Sequence, residues 1–131
     1  MQETKSATRS AGSVALGLTR VLAAAMAVLV FAQGTLAGSH LSGADGALDA
    51  HRALGTEIIP WLSLATAVAA AVSVRRNRWV LSAALLAAVG TGTQIGMGFQ
   101  DRLDVHFPLG LALLATYLVI ALAARDRTEK P

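Results

Sequence analysis

Apolar residues along this chain fall into four long runs, and most polar residues lie in the short stretches between them. A helix needs about 20 mainly apolar residues to cross the hydrocarbon core of a bilayer. Runs of about that length occupy residues 13–37, 54–74, 79–99 and 105–124. The pattern predicts an all-α integral membrane protein with a four-transmembrane-helix bundle over residues 13–124, between tails at residues 1–12 and 125–131.

Composition strengthens this prediction. Hydrophobic residues make up 54% of the chain and charged residues 15%, whereas soluble proteins carry about 25% charged residues. The mean hydropathy is +0.56. The chain has no cysteine, which excludes disulfides, thiolate metal sites and cysteine nucleophiles.

The basic residues indicate the orientation. Nine of the eleven would lie on one side of the membrane: Lys5, Arg9, Arg20, Arg75, Arg76, Arg78, Arg125, Arg127 and Lys130. Such an excess marks the cytoplasmic side, so we expect both termini inside, in a bacterial inner (plasma) membrane. The clusters are topology signals, and we expect the lipid bilayer, not nucleic acid, as their partner. Alternatively, the first run is a cleaved signal peptide and three spans remain.

One octet occurs twice. Residues 48–55 read LDAHRALG and residues 103–110 read LDVHFPLG. A glutamine among small residues precedes each octet, at Gln33 and Gln94, with the first link about six residues longer. The chain therefore divides into two tandem helical hairpins, about 13–74 and 79–124. Parallel repeats of this kind are related by an axis along the membrane normal.

This symmetry places His51 and His106 at similar depth near the outer face. Two imidazoles facing each other across a bundle can ligate one haem iron from opposite sides. The sequence therefore predicts one bis-His haem b per chain. The alternative is architectural, because a duplication also copies interfacial histidines that bind only a neighbouring carbonyl.

Other residues near the octets extend the predicted site. Arg52 and Arg102 suit haem propionates, or they pair with Asp49 or Asp104. Each aspartate is expected to cap its helix start or to orient its histidine. Gln33 and Gln94 are counted with the cofactor-binding residues. The glycines of GTGTQIGMG at residues 90–98 leave room for a porphyrin plane or simply for helix packing.

Two further polar residues lack a counterpart. Glu57 lies inside the second apolar run, and the residue 55 positions on is Ala112. A carboxylate at that depth is costly, so we consider it as a proton relay or as a residue that snorkels to the interface. His40 is expected in the exposed first loop.

The octets and hairpin repeat resemble one half of the haem A synthase family, over roughly residues 21–124. The stretch DAHRALG is also similar to small actinobacterial-type four-helix membrane proteins of unassigned function. The resemblance implies haem ligation by His51, within an His-Arg pair, and by His106, before a Gly-Leu-Ala-Leu-Leu run. The family's glutamate ahead of that pair and its loop cysteines are absent here. We therefore expect no full synthase activity from this half-length chain.

Taken together, the sequence predicts a cytochrome b-like protein acting in electron transfer or haem handling, beside a quinone or a respiratory complex, alone or as a homo-oligomer. One alternative is a haem-free accessory or assembly subunit of a membrane complex. Another is a small transporter with Glu57, Gln33 and Gln94 along its path.

Overall fold

The computed structural model describes residues 2–73 and 77–125, and within them regular structure is entirely helical. The elements are α1 (Gln2–Leu41), α2 (Ala47–Ala53), a π-helical turn (Leu54–Ile58), α3 (Ile59–Val72), α4 (Arg78–Phe99) and α5 (Leu103–Ala123). The α2, π-helical and α3 segments follow one another without a break and form a single rod.

Four stretches are long and apolar enough to cross a membrane: Ala11–Leu41, Ala47–Val72, Arg78–Phe99 and Leu103–Ala123. We call them spans 1 to 4. Their number confirms the prediction from sequence, but several predicted bounds were wrong. Span 2 begins seven residues before residue 54, so the first octet is helical and not part of the link. From Gln2 onward the predicted tail 1–12 continues α1, and His40 is in the last turn of α1 rather than in a loop.

Of the basic residues used for orientation, Arg75, Arg76, Arg127 and Lys130 lie outside the described residues, as does the tail after residue 125.

The spans form a four-helix bundle in which each packs beside two others. Span 1 lies against spans 2 and 4, and span 3 lies against the same two. Short links favour this antiparallel arrangement of successive helices. Small side chains on the inner faces, such as Ala23, Ala70 and Ala84, let the backbones approach closely. Tyr117, Leu16 and Met26 are the largest fully buried side chains in the bundle.

A one-residue irregularity within span 2 distinguishes the first hairpin from the second. In the π-helical turn the Ile59 N–H bonds to the Leu54 carbonyl, five residues back. Pro60 follows at the start of α3 and has no N–H to continue an α-helical ladder. A π-helical turn accommodates one extra residue. Equivalent positions in spans 2 and 4 therefore differ by 55 in residue number at the octets, but by 54 beyond this turn.

Burial bears this out. With the offset of 54, four of the six buried positions of α3 match buried positions at the end of span 4: Ile59 with Leu113, Ser63 with Tyr117, Thr66 with Ile120 and Ala70 with Ala124. With an offset of 55, Ser63 would match Leu118, which is 48% exposed. Spans 2 and 4 are thus equivalent on both sides of the π-helical turn, with the offset changing by one residue there.

Candidate cofactor site at the paired histidines

The bundle brings the two octet histidines together at one end. The ring centroids of His51 and His106 lie 6.0 Å apart, with the ring planes inclined by 58°. His51 comes from α2 and His106 from the first turn of α5, on spans that lie diagonally across the bundle. Both side chains are half-buried. The duplicated sequence therefore produces a pair that faces across the bundle, as its symmetry predicts.

Each ring is held by the helix that precedes it. Nδ1 of His51 lies 3.1 Å from the backbone carbonyl oxygen of Gln33, and Nδ1 of His106 lies 2.9 Å from that of Gln94. A carbonyl oxygen only accepts hydrogen bonds, so Nδ1 carries the proton in both rings. In the neutral ring Nε2 then keeps its lone pair. Within the described residues neither Nε2 makes a hydrogen bond, so both are left for a ligand.

The glycine that ends each octet has a geometric role. A Cβ built on Gly55 would lie 2.7 Å from Nε2 of Gln33, and one on Gly110 would lie 3.0 Å from Nε2 of Gln94. The glutamine amides thus occupy the space that a larger residue would fill. Because residues four apart lie on the same helix face, each glycine lies one turn below its histidine. The octet therefore encodes a histidine that binds the glutamine backbone and a glycine that admits its side chain.

Taken together, the side-chain amides of Gln33 and Gln94 are only partly satisfied by hydrogen bonds. The Gln33 amide nitrogen donates to the His51 carbonyl oxygen at 3.0 Å. Oε1 of Gln33 and Oε1 of Gln94 are both buried without a hydrogen-bond partner in the described part of the chain. Buried polar atoms in proteins are nearly always satisfied. The two oxygens lie in equivalent places of the repeat, and each could accept a hydrogen bond from a further group.

Of the roles expected for the charged residues at this end, the structure shows one, the pairing of Arg102 with Asp104. Neither aspartate caps a helix: Gly46 and Arg102 hold the N-cap positions, and no side chain bonds there. Neither orients a histidine, since the glutamine carbonyls do so. Arg102 instead forms a two-bond ion pair with Asp104, both at 3.0 Å, between exposed side chains. Arg52 is exposed.

The other predicted residues lie outside this cluster. Glu57 is exposed within the π-helical turn and faces away from the bundle. Its proposed role as a proton relay stays a prediction. His40 is exposed, as expected. In the described residues, no group of three or more histidine, cysteine or acidic side chains can hold a metal ion.

One buried polar cluster was missed by sequence reasoning. The Tyr117 hydroxyl lies 2.7 Å from Ser63 Oγ and 3.2 Å from Thr91 Oγ1, in the interior between spans 2, 3 and 4. Ser63 and Tyr117 are equivalent by the offset of 54, so this contact crosses the pseudo-twofold axis. Single hydroxyls in long apolar runs gave no signal of their own. Only the difference in residue number between the repeats, which changes from 55 to 54 at the π-helical turn, relates Ser63 to Tyr117.

Comparison with protein-family models, curated proteins and solved structures finds no match to this chain.

Proposed function

We propose that the protein is a membrane haem b-binding protein, with His51 and His106 as the axial ligands of one haem. The observation that carries this proposal is their separation. An imidazole nitrogen lies about 2 Å from a metal that it ligates, and the ring centroid lies about 1 Å further back. Two rings ligating one metal from opposite sides therefore have centroids roughly 6 Å apart. The separation of 6.0 Å agrees with this distance.

The chemistry of the donors fits haem better than a bare metal ion. Only two nitrogens converge in the described residues, and a porphyrin would supply the remaining ligands of the iron. Metal-bound histidines usually donate their other N–H to a carbonyl or carboxylate, which fixes the ring and its tautomer. The Gln33 and Gln94 carbonyls do this for both rings. Gly98 of α4 adjoins the His106 ring, and a Cβ there would lie 3.0 Å from Cε1, so a small residue is needed at this position for the ring to keep its orientation.

The role that follows is electron transfer or haem handling at the outer side of a bacterial plasma membrane, with both termini in the cytoplasm. The bias of the basic residues supports this orientation. Haem would supply one-electron chemistry. The chain's own residues hold the rings, and Arg52 is exposed and suited to a propionate. A quinone or a respiratory complex would be the redox partner. The resemblance of the octets to haem A synthase points in the same direction.

The test is the visible spectrum of the detergent-purified protein, oxidised and then reduced, with a pyridine haemochrome assay. We expect a sharp Soret band, resolved α and β bands and about one haem per chain. His51→Ala and His106→Ala should each lose the low-spin spectrum. His40→Ala is the matched control, since His40 is exposed and outside the cluster, and it should keep the spectrum. A colourless wild type after haem reconstitution would refute the proposal.

A second candidate is a haem-free accessory subunit of a membrane complex, and one observation favours it. The histidine, glutamine and glycine contacts already link the two helices of each hairpin without any ligand. In that case the protein is colourless, yet both histidine variants unfold more easily than wild type. A stable partner would be recovered by pull-down from solubilised membranes.

A further inference from the structure

The position of Glu57 is unexpected for a four-helix membrane bundle. It is ten residues after Ala47 and fifteen before Val72 in span 2, so it lies about 15 Å from the outer end of this span. That is about 4 Å from the middle of this 26-residue span. Yet the side chain is exposed on the outside of the bundle. A carboxyl group at this depth without a polar partner is strongly disfavoured.

Within residues 11–73 and 77–125, no basic residue lies at the depth of Glu57. Arg52 is five residues earlier, about 7 Å closer to the outer face. Arg20 is thirteen residues before Gln33, whose contacts with His51 set the register of spans 1 and 2. By this register Arg20 lies about 10 Å deeper than Glu57. Among the described residues no hydrogen bond or ion pair involves Glu57. The described residues therefore supply no polar partner for Glu57.

We propose that span 2 is a dimer interface, in which Glu57 of one chain binds Glu57 of a second copy. A twofold axis along the membrane normal places every outward residue opposite its own copy at the same depth. A protonated carboxyl group both donates and accepts, so two of them satisfy each other without a net charge in the membrane. The carboxyl group of Glu57 is therefore complementary to the carboxyl group of its own copy.

The surrounding surface fits this occupant. Below Glu57 the same face of span 2 carries Trp61, Leu64 and Val68, at spacings of four, three and four residues, and they are 69%, 51% and 56% exposed. That spacing suits two helices packed nearly parallel in a membrane. Span 4 provides the matched comparison. By the offset of 54, Leu118 and Leu122 correspond to Leu64 and Val68 and are 48% and 63% exposed. Its midpoint, however, carries Leu111 and Ala112 in place of a carboxyl group.

Because the chain has no cysteine, single cysteines report this interface directly. Leu64→Cys and Leu118→Cys are placed separately in the full chain, in liposomes at low protein density, and oxidised. We expect a covalent dimer from Leu64→Cys and little from Leu118→Cys. Adding Glu57→Leu to Leu64→Cys should lower the yield of covalent dimer, whereas Glu57→Gln should keep it because paired amides also bond reciprocally. In a dissociation experiment, Glu57→Leu should weaken dimerisation by roughly 3- to 30-fold.

Equal cross-linking at both positions would refute the proposal, because it would indicate random collision. Failure of Glu57→Leu to change the dimer would refute it as well. Recovery of span 2 cross-linked to a different protein, with the purified chain monomeric, would assign the face to another partner and also overturn it. The haem spectrum is measured on the same samples, so loss of the dimer and loss of haem are scored independently.

Discussion

Substitution of Gly55 by alanine tests the interlocking of the octet with its glutamine. In an ordinary helix interior this change stabilises a protein by up to about 1 kcal/mol, because alanine is the better helix former. Here the new Cβ would lie 2.7 Å from Nε2 of Gln33, which is too close. The amide must therefore move, and its 3.0 Å hydrogen bond to the His51 carbonyl oxygen is lost.

The expected magnitude follows from these two effects. An unpaired amide in a half-buried site costs about 1–3 kcal/mol. Gly34→Ala is the matched control, since Gly34 adjoins Gln33 in α1 and a Cβ there meets nothing within 4 Å. Relative to this control we expect Gly55→Ala to lower the free energy of unfolding by about 1–3 kcal/mol. Gly110→Ala should be milder, because its Cβ would lie 3.0 Å from Gln94 Nε2 and that nitrogen makes no hydrogen bond within the described residues.

The assay is reversible unfolding in mixed detergent micelles, followed by helical circular dichroism. A double-mutant cycle with Gln33→Ala separates the clash from other effects. In the Gln33→Ala background the amide is absent, so Gly55→Ala should no longer lower the free energy of unfolding. The reasoning is refuted if Gly55→Ala is as stable as Gly34→Ala, or if its penalty is the same with and without the glutamine side chain.

Two further substitutions probe the interior and the histidine ring. Tyr117→Phe removes the hydroxyl that contacts Ser63 and Thr91, and it should cost about 1–2 kcal/mol in the same assay. Removal of the neighbouring exposed hydroxyl by Thr116→Val should change stability by under about 0.5 kcal/mol, and equal effects would contradict the role of the cluster. Gly98→Ala places a Cβ 3.0 Å from Cε1 of His106, so the ring must shift; haem affinity should fall roughly tenfold or more by titration. Gly96→Ala, whose Cβ has only Gln100 at 4.0 Å, should bind haem normally, and matching affinities for the two variants would count against the site.

The sequence was sufficient for the large features and insufficient for the local ones. Length and hydropathy predicted four spans, because a membrane helix needs a long apolar run and little else. The repeat predicted that His51 and His106 would meet, since equivalent residues of parallel repeats lie at equal depth. Span 2 was predicted to begin too late, because Asp49, His51 and Arg52 were taken for part of a polar link.

The aspartate roles were wrong for a related reason. Short polar side chains at a helix start often cap it, but the opposite charge of Arg102, two residues from Asp104, offers a stronger partner. The glutamine carbonyls that hold the histidines carry no side-chain signature, so composition cannot reveal them. Only the recurrence of glutamine before each octet hinted that these two positions matter.

The π-helical turn at Leu54–Ile58 also determines where span 2 can accommodate an extra residue. An extra residue in a continuous α-helix would turn everything beyond it by about 100°, moving the buried hydroxyls of Ser63 and Thr66 toward lipid. The wider turn confines that insertion to a single step of the backbone. The register of the buried face beyond the turn is therefore set independently of the register at the histidine end of span 2. A gain or loss of one residue is tolerated here, whereas the same change within the regular α-helix of α3 would disrupt the packing of the bundle.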